Sequence, residues 1–349
     1  MTQPRVDDLL RRLLVQCPPE LAADVAPVAA EYRSGIVLTG PKPRASVRHL
    51  RRLGYTGPIL CDAGRYTGRH PLHAGAGLRT SWTAEQHELG LVALTDSGYL
   101  AAGDWPGLHK LLTEAARQPP PLLVTLPLAP GWFAVPMWVD RLVTVLDKAR
   151  LPVAIVIVDD SFDTRRVTRG FVRLLTAAVP IMLLRGDIGA AGAICHGAHA
   201  GALGATSGLF VPALLGHHRP AVLARIVERT PDLAELWPCH CPLCAGTVPT
   251  DLSPDGIYLH SLHAQLMLGD LLTDQRHDLA AMHTSWREHC GRALAVHHDV
   301  AEVMPTWETP PAPGWWREVE PPPVAGTVPA QNADEDAPRT VHRLHRRTS

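Results

Sequence analysis

Residues 153–187, VAIVIVDDSFDTRRVTRGFVRLLTAAVPIMLLRGD, contain the strand–helix–strand pattern that decides the fold class. VAIVIVDD and PIMLLRGD are short, nearly continuous apolar runs that end in aspartate, and RRVTRGFVRLLTAA between them has the apolar spacing of a helix. Continuous apolar runs predict strands that are buried on both faces, and helices between such strands are typical of parallel sheets. The stretch therefore predicts a βαβ unit.

The same alternation of strand and helix patterns extends from residue 34 to residue 212. The strand candidates are short apolar runs followed by a glycine or polar turn. They are GIVLTG (35–40), GPILCDAG (57–64), LVALTDSGYL (91–100), LLVTLPL (122–128), VAIVIVDD (153–160), PIMLLRGD (180–187) and GALGATSGLFV (201–211). Because these are about seven strands, we predict an α/β fold of the (β/α)8 TIM-barrel type that is shortened or has one further strand that the pattern does not place.

The rest of the chain divides into three parts. Residues 1–33 predict a helical lead-in to the barrel. Residues 213–304 predict a zinc-binding helical subdomain, because DGIYLHSLHAQLMLGDLLTDQRHDLAAMHTSWREHC repeats apolar residues every three or four positions after a cysteine cluster. Residues 305–349 are rich in proline and poor in aliphatic side chains, so we predict a flexible tail there.

Composition narrows the class of protein. The 349 residues carry a formal net charge of −1, which gives no overall attraction to nucleic acid or to acidic lipid. No apolar run reaches the roughly 18 residues that a membrane span needs, so we expect a soluble, cytoplasmic protein with no membrane partner. In that reducing compartment, clustered cysteines are more often metal ligands or catalysts than halves of disulfides.

Three of the seven cysteines lie within residues 239–244, CHCPLC. Thiolates at this spacing can converge on one tetrahedral ion if the backbone turns tightly, and Pro238 and Pro242 favour such a turn. The fourth ligand has to come from outside the cluster. Spacing alone leaves six downstream candidates, which are His260, His263, His277, His283, His289 and Cys290.

CHCPLC followed by YLHSLHAQLMLGDLLTDQRH resembles the zinc subdomain of the tRNA-guanine transglycosylase superfamily. In that superfamily the ligand histidine follows an aromatic residue at the interval that here separates Tyr258 from His277. The resemblance implies a structural Zn²⁺ ion, and its ligands would be Cys239, Cys241, Cys244 and His277. A site closed by four protein ligands stabilises the fold and does no chemistry.

Two strand ends resemble segments that carry carboxylates in the same superfamily. GPILCDAGRYTG (57–68) places Asp62 at the position of an aspartate that assists proton transfer. Independently, a carboxylate that ends an apolar strand points into a barrel mouth, where burial can raise its pKa, although Asp62 could also simply cap the following turn. VAIVIVDD resembles the strand whose aspartate binds the purine edge, which implies that Asp159 binds the substrate.

AICHGAHAGALGATSG (193–208) departs from the superfamily pattern. The shared histidine and glycine place Ala202 where the superfamily has the aspartate that attacks the ribose, and alanine cannot act as a nucleophile. Three explanations stay open. Asp187 could be the nucleophile from the neighbouring strand, water could attack directly with Asp62 and Asp187 as acid and base, or the protein could be a non-catalytic relative.

Arg185 and Asp187 alternate along PIMLLRGD, so they predict an ion pair in the barrel mouth or a phosphate grip by Arg185. The resemblance implies a glycosyltransferase or N-glycosidase that acts on guanine or a 7-deazaguanine in tRNA, or in DNA as in the 7-deazaguanine DNA-modification relatives. The expected partners are nucleic acid, the free base and a second subunit in a homodimer or heterodimer. The alternative is a zinc-containing, non-catalytic subunit or a base-binding homologue that partners an active enzyme.

Overall fold

The computed structural model describes residues 4–158, 165–204, 208–229, 237–248 and 252–321. Its central feature is an eight-stranded parallel sheet. In chain order the strands are β1 (Arg12–Cys17), β2 (Gly35–Thr39), β3 (Ile59–Asp62), β4 (Ala93–Leu94), β5 (Leu122–Leu128), β6 (Val153–Ile157), β7 (Ile181–Leu184) and β8 (Ala200–Leu203).

Hydrogen bonds join these strands in the order β3-β2-β1-β8-β7-β6-β5-β4. Consecutive strands are neighbours, and β1 pairs in parallel with β8, as a closed ring of strands requires. β3 and β4 are the two edges of the sheet and lie beside each other. The predicted (β/α)8 TIM-barrel fold is confirmed as a nearly closed barrel, with a seam between β3 and β4.

β1 is the strand that the sequence pattern did not place. RLLVQC lies within the predicted helical lead-in of residues 1–33, so the barrel begins at Arg12 rather than at residue 34, and it is not shortened. A short apolar run has too few residues for its periodicity to distinguish a strand from a buried helix. Five of the six residues of β1 are buried, which fits a strand in the middle of a covered sheet.

Helices pack around the outside of the barrel, and smaller apolar side chains fill its interior. Successive residues of a strand point to opposite sides, so each strand contributes to both layers. The helices are α1 (Ala22–Glu31), α2 (Pro43–Arg52), α3 (Thr80–Glu88), α4 (Trp105–Ala115), α5 (Gly131–Ala134), α6 (Pro136–Ala149), α7 (Arg165–Leu174) and α8 (Gly189–Cys195). The interior core includes Leu9, Leu14, Val37, Leu60, Leu94, Leu123, Val156, Leu184 and Ala202.

Among the described residues, a short antiparallel hairpin and four α-helices follow the barrel. The hairpin pairs β9 (Leu209–Val211) with β10 (Gly216–His218). The helices are α9 (Pro220–Arg229), α10 (Pro254–Thr273), α11 (Leu279–Val303) and α12 (Ala312–Glu318). α10 packs directly on the barrel, because a Cβ added to Gly269 would lie 2.5 Å from Cδ2 of Leu13.

The proline-rich segment from residue 305 is not the uniformly flexible tail that its composition predicts. Residues 305–321 fold back onto the protein, with Trp316 and Val319 buried. The carbonyl oxygen of Val319 lies 3.1 Å from Nε2 of His196 and 3.2 Å from Nε2 of His283. A few aromatic and branched side chains are sufficient to anchor this segment, and residues 322–349 lie outside the described residues. Within the described ranges, no helix has the length and apolar character that crossing a membrane requires.

Candidate functional site

Three cysteines from the turn before α10 and one histidine on α10 form a buried cluster. The ligand atoms of Cys239, Cys241, Cys244 and His260 all lie within 4.8 Å of one another. The backbone turns tightly here, because the amide of Cys244 donates to the carbonyl of Cys241 and the amide of Cys239 donates to the carbonyl of Thr247. This turn points the three sulfur atoms towards one position.

His260 reaches the sulfur atoms from α10. Its Nδ1 lies 3.4 Å from Sγ of Cys241 and 3.1 Å from Sγ of Cys244. Its Nε2 lies 2.8 Å from the carbonyl oxygen of Phe210, so an Nε2–H group can donate there while the Nδ1 lone pair faces the thiols. Metal-binding histidines are commonly oriented by such a carbonyl. The four side chains could therefore bind a metal ion.

The thiols of the cluster differ in their readiness to lose a proton. The pKa of Cys241 is lowered, first by a hydrogen bond from Cys239, and His260 adds to this effect. Burial raises the pKa of Cys244, and the charge of Cys241 raises it further. Because a metal ion binds thiolates, metal binding would release protons from the cluster.

His277, the fourth ligand that the resemblance implies, does not join the cluster. It lies exposed in the turn after α10, whereas His260 is buried in the first half of that helix. A helix rises about 1.5 Å per residue, so the part of α10 that follows His260, which ends at Thr273, is by itself about 20 Å long. The fourth candidate ligand is therefore His260 and not His277. His260 is one of the six candidates that spacing alone leaves open.

Asp62 ends β3 at the carboxyl-end mouth of the barrel and is 1% exposed. Its Oδ2 accepts hydrogen bonds from the Tyr66 hydroxyl at 2.5 Å and from Nε2 of Gln16 at 3.0 Å. Its Oδ1 accepts one from the Gly64 amide at 2.9 Å, so Asp62 also caps the turn. Burial raises the pKa of Asp62, and the hydrogen bonds and the charge of Arg185 oppose that rise.

Gln16 connects Asp62 to the loop after β7. Its Nε2 donates to Asp62, and its Oε1 accepts from the backbone amide of Arg185 at 3.2 Å. The guanidinium carbon of Arg185 lies 5.9 Å from the ring centroid of Tyr66. Sequence reasoning missed Gln16 and Tyr66. Gln16 could have been found if RLLVQC had been read as a strand, since it then sits near a strand end as Asp62 does.

Asp187 lies beside the hairpin that follows the barrel. Its Oδ2 lies 3.4 Å from Nδ1 of His217 on β10. Its Oδ1 is buried and has no hydrogen-bond partner among the described residues. The structure therefore brings Asp62 and Arg185 together and places Asp187 next to His217, while Asp159 lies outside the described residues.

Ala202 packs inside the barrel. It lies opposite Leu14 in the register of β8 with β1, and its carbonyl accepts a hydrogen bond from the Gly186 amide at 3.0 Å. The position that the resemblance assigns to a nucleophile thus carries a buried methyl group. No carboxylate replaces that nucleophile on β8 itself.

Asp96 forms a charged network that sequence reasoning did not single out. Its side chain is completely buried after β4, with Oδ2 2.7 Å from Nη1 of Arg65 and 2.5 Å from Nε of Arg79. Its Oδ1 accepts from the Arg79 amide at 2.9 Å. Arg65 precedes Tyr66, so this network fixes the loop that carries the hydroxyl bound to Asp62.

No family model and no curated protein matches this chain. Among solved structures, it is similar to a tryptophan synthase from M. tuberculosis, with 12% identity, a TM-score of 0.36, and coverage of 75% of this chain and 93% of that one. It is also similar to the carboxyl transferase domain of Rhizobium etli pyruvate carboxylase, with 12% identity, a TM-score of 0.39, and coverage of 84% and 56%. By its own strand order and side chains, this protein is a (β/α)8 barrel followed by helices that carry a buried Cys3His cluster.

Proposed function

We propose that the Cys3His cluster binds a structural Zn²⁺ ion. Three thiolates and one imidazole are a common tetrahedral zinc donor set, and four protein ligands leave no position for water or substrate. The cluster connects the cysteine turn to α10 and, through the Phe210 carbonyl, to β9. An ion there would hold the helices that follow the barrel in place.

We also propose that the barrel is a transglycosylase-like enzyme, a glycosyltransferase or N-glycosidase, that acts on the N-glycosidic bond of guanine or a 7-deazaguanine in tRNA or DNA. The observation that carries this proposal is Asp62, a buried carboxylate with a raised pKa at the barrel mouth. (β/α)8 enzymes place their catalytic groups at this end. A carboxyl group whose pKa is raised retains its proton to higher pH and can donate it to a leaving group.

The position of Ala202 favours direct attack by water over a covalent intermediate. In this reaction the C1′–N bond breaks, Asp62 gives its proton to the departing base, and water adds to C1′ while giving a proton to a second carboxylate. Asp187 is our candidate for that carboxylate, because one of its oxygens lacks a hydrogen-bond partner among the described residues. In base exchange, the incoming base attacks C1′ in place of water and gives its ring N–H proton to the second carboxylate.

Arg185 is proposed to bind a phosphate of the target nucleotide. A guanidinium group can grip a phosphate with two parallel hydrogen bonds. Arg185 is exposed at the mouth, close to Asp62 and Tyr66. A nucleotide within a polymer would have to turn out of its stack to bring its glycosidic bond to Asp62.

A second candidate function is favoured by the different partners of the two carboxylates. Asp187 pairs with His217, while Asp62 is held by Tyr66 and Gln16. If Asp187 does not act at the mouth, the chain has one catalytic carboxylate there. It would then be a zinc-containing, non-catalytic subunit that binds the base or nucleic acid and partners an active enzyme, in a homodimer or heterodimer.

Release of labelled guanine from tRNA and from duplex DNA tests the two candidates directly. The full-length protein is compared with Asp62→Asn, Asp187→Asn and the matched control Asp140→Asn, which changes an exposed aspartate on α6. We expect release by the wild type and the control, and a loss of roughly 100-fold or more in Asp62→Asn. Intact-mass analysis distinguishes a covalent intermediate from direct attack by water. A covalent adduct that forms on the wild type and is lost in Asp187→Asn would identify Asp187 as the nucleophile. Binding of either polymer without release by the folded, zinc-loaded wild type would exclude the enzyme and support the subunit.

A further inference from the structure

A cavity of ≈ 540 Å³ lies at the amino-terminal end of the barrel, opposite the proposed catalytic mouth. Its volume falls in the range of about 300–1,000 Å³ that is usual for small-molecule sites. It opens beside the seam, where the starts of β3 and β4 form the two edges of the sheet. Its walls include Gly57 to Leu60 at the start of β3 and Gly90 to Val92 just before β4.

The wall of this cavity carries both polar and apolar groups. Leu9, Leu60 and Val92 belong to the core inside the barrel, and Tyr55 and Leu91 are also buried at the cavity wall. The cavity therefore reaches from solvent to the base of the barrel interior. Because those side chains are already buried, a ligand with an apolar body would chiefly cover the half-buried Pro4 and Pro58, which also line the cavity.

Arg12 and Arg51 line the same cavity with their positive charges. Nη1 of Arg12 donates to the carbonyl of Arg33 at 2.7 Å, and Nη1 of Arg51 donates to the carbonyls of Tyr55 at 2.7 Å and Gly57 at 3.0 Å. These contacts fix the guanidinium groups but occupy few of the five N–H donors that each group has. In the described ranges, neither arginine forms an ion pair with a carboxylate.

The charges of both arginines act on the pKa of Tyr55, which also lines the cavity. Burial raises the pKa of Tyr55, and the charges of Arg51 and Arg12 oppose that rise. Burial also lowers the pKa of Arg51, because its charge is partly removed from water without a nearby carboxylate. An anion bound between Arg12 and Arg51 would compensate that loss of hydration.

The charges at the rim indicate how much negative charge a ligand can carry. Arg5 also lines the cavity, but its guanidinium pairs with Asp7 at 2.9 Å. Asp8 lines the cavity too, and its carboxylate accepts a hydrogen bond from the Arg5 amide at 2.8 Å. Arg12 and Arg51 together with Asp8 leave one net positive charge, which a single carboxylate neutralises.

We propose that this cavity binds an organic carboxylate with an apolar body. The carboxylate contacts Arg12 and Arg51, and the apolar body contacts Pro4 and Pro58. Guanidinium groups match the planar carboxylate with paired hydrogen bonds. The site is separate from the mouth that holds Asp62, so it would stabilise or regulate the barrel from the opposite end.

Isothermal titration calorimetry with octanoate tests this proposal on the full-length protein. 1-Octanol serves as the neutral probe with the same apolar body, and inorganic phosphate serves as the anion without one. We expect octanoate to bind with a stoichiometry of one and at least tenfold more tightly than either other probe. Equal affinities for octanoate and octanol, or tighter binding of phosphate, would overturn the proposal.

Variants identify the site at which octanoate binds. Arg12→Gln/Arg51→Gln is expected to weaken octanoate binding at least tenfold and to leave octanol binding unchanged, while Arg52→Gln, an exposed neighbour on α2, changes neither. If the double variant does not fold, Thr56→Trp replaces it, because this exposed position lines the cavity and a tryptophan there occupies the space with both arginines intact. Unchanged octanoate binding in a folded variant of either kind would refute the assignment.

Discussion

Nε2 of His260 lies 2.8 Å from the carbonyl oxygen of Phe210, so the hairpin after the barrel orients the histidine of the Cys3His cluster. β9 (Leu209–Val211) precedes the cysteine turn and α10 in the chain, and the three meet at this point. Because such a site does not exist in the unfolded chain, the free energy of binding a metal there becomes free energy of folding. If the cluster binds a metal ion, as we propose, metal content and stability are therefore linked.

The first prediction concerns metal content. We expect the purified protein to contain one Zn²⁺ ion per chain, measured by inductively coupled plasma mass spectrometry. His260→Ala should lose most of this zinc, because it removes a ligand whose Nδ1 faces two sulfur atoms. His277→Ala is the matched control and should retain the zinc, because His277 is exposed beyond the end of α10. The reverse result would restore the ligand set that the resemblance implies.

The second prediction concerns the network around Asp96. Asp96→Ala leaves the Arg65 guanidinium and the Arg79 amide without their carboxylate, so we expect the free energy of unfolding to fall by about 3 kcal/mol. The control is Asp140→Ala, which removes an exposed ion pair with Arg173 and should cost less than about 1 kcal/mol. Urea denaturation measures both. Similar losses in the two variants would show that burial does not strengthen the Asp96 network.

The third prediction concerns pH. Burial raises the pKa of Asp62, so above about pH 4 the folded protein retains a proton that the unfolded chain has lost. The contribution of Asp62 to the free energy of unfolding must then fall as pH rises from about 4 through its folded pKa. Asp62→Asn cannot ionise and lacks this fall. We expect the stability of the wild type relative to Asp62→Asn to decrease in urea denaturation as pH rises above about 4, and a constant difference would contradict a raised pKa.

The fourth prediction tests the hydroxyl of Tyr66. This group donates to Oδ2 of Asp62 and opposes the rise of its pKa, so Tyr66→Phe should raise the pKa of Asp62 further. If protonated Asp62 donates to the departing base, guanine release falls as pH rises through that pKa. The fall should therefore occur at higher pH in Tyr66→Phe. A change in rate at all pH values, with no displacement of the profile, would indicate that Tyr66 only positions Asp62.

The sequence predicted most of the barrel because apolar runs bounded by glycine and proline are strong strand signals. It missed β1 because RLLVQC is short and directly follows a stretch rich in leucine and arginine. That omission also hid Gln16, which connects Asp62 to Arg185. A side chain that acts only through its neighbours in the folded protein has no signal of its own in the sequence.

The cysteines were recognisable from spacing, but their histidine partner was not. Six downstream residues are possible fourth ligands on spacing alone. The choice among them depends on which part of α10 packs against the hairpin. The pairing of Asp187 with His217 depends in the same way on where β10 crosses the barrel. Local chemistry can be read from residue types, whereas partners that are distant in sequence require the packing of whole elements.

The fifth prediction tests whether the segment after residue 305 contributes to stability. Trp316 is 3% exposed, and its ring centroid lies 5.1 Å from His196 and 6.2 Å from Trp286. Trp316→Ala should therefore reduce the free energy of unfolding by about 3–5 kcal/mol, as is usual for a buried tryptophan. The neighbouring Trp315 is only half-buried, so Trp315→Ala should cost less. Urea denaturation followed by far-ultraviolet circular dichroism compares the two without depending on tryptophan fluorescence. Losses near zero in both variants would mean that this segment behaves as the flexible tail that its composition predicts.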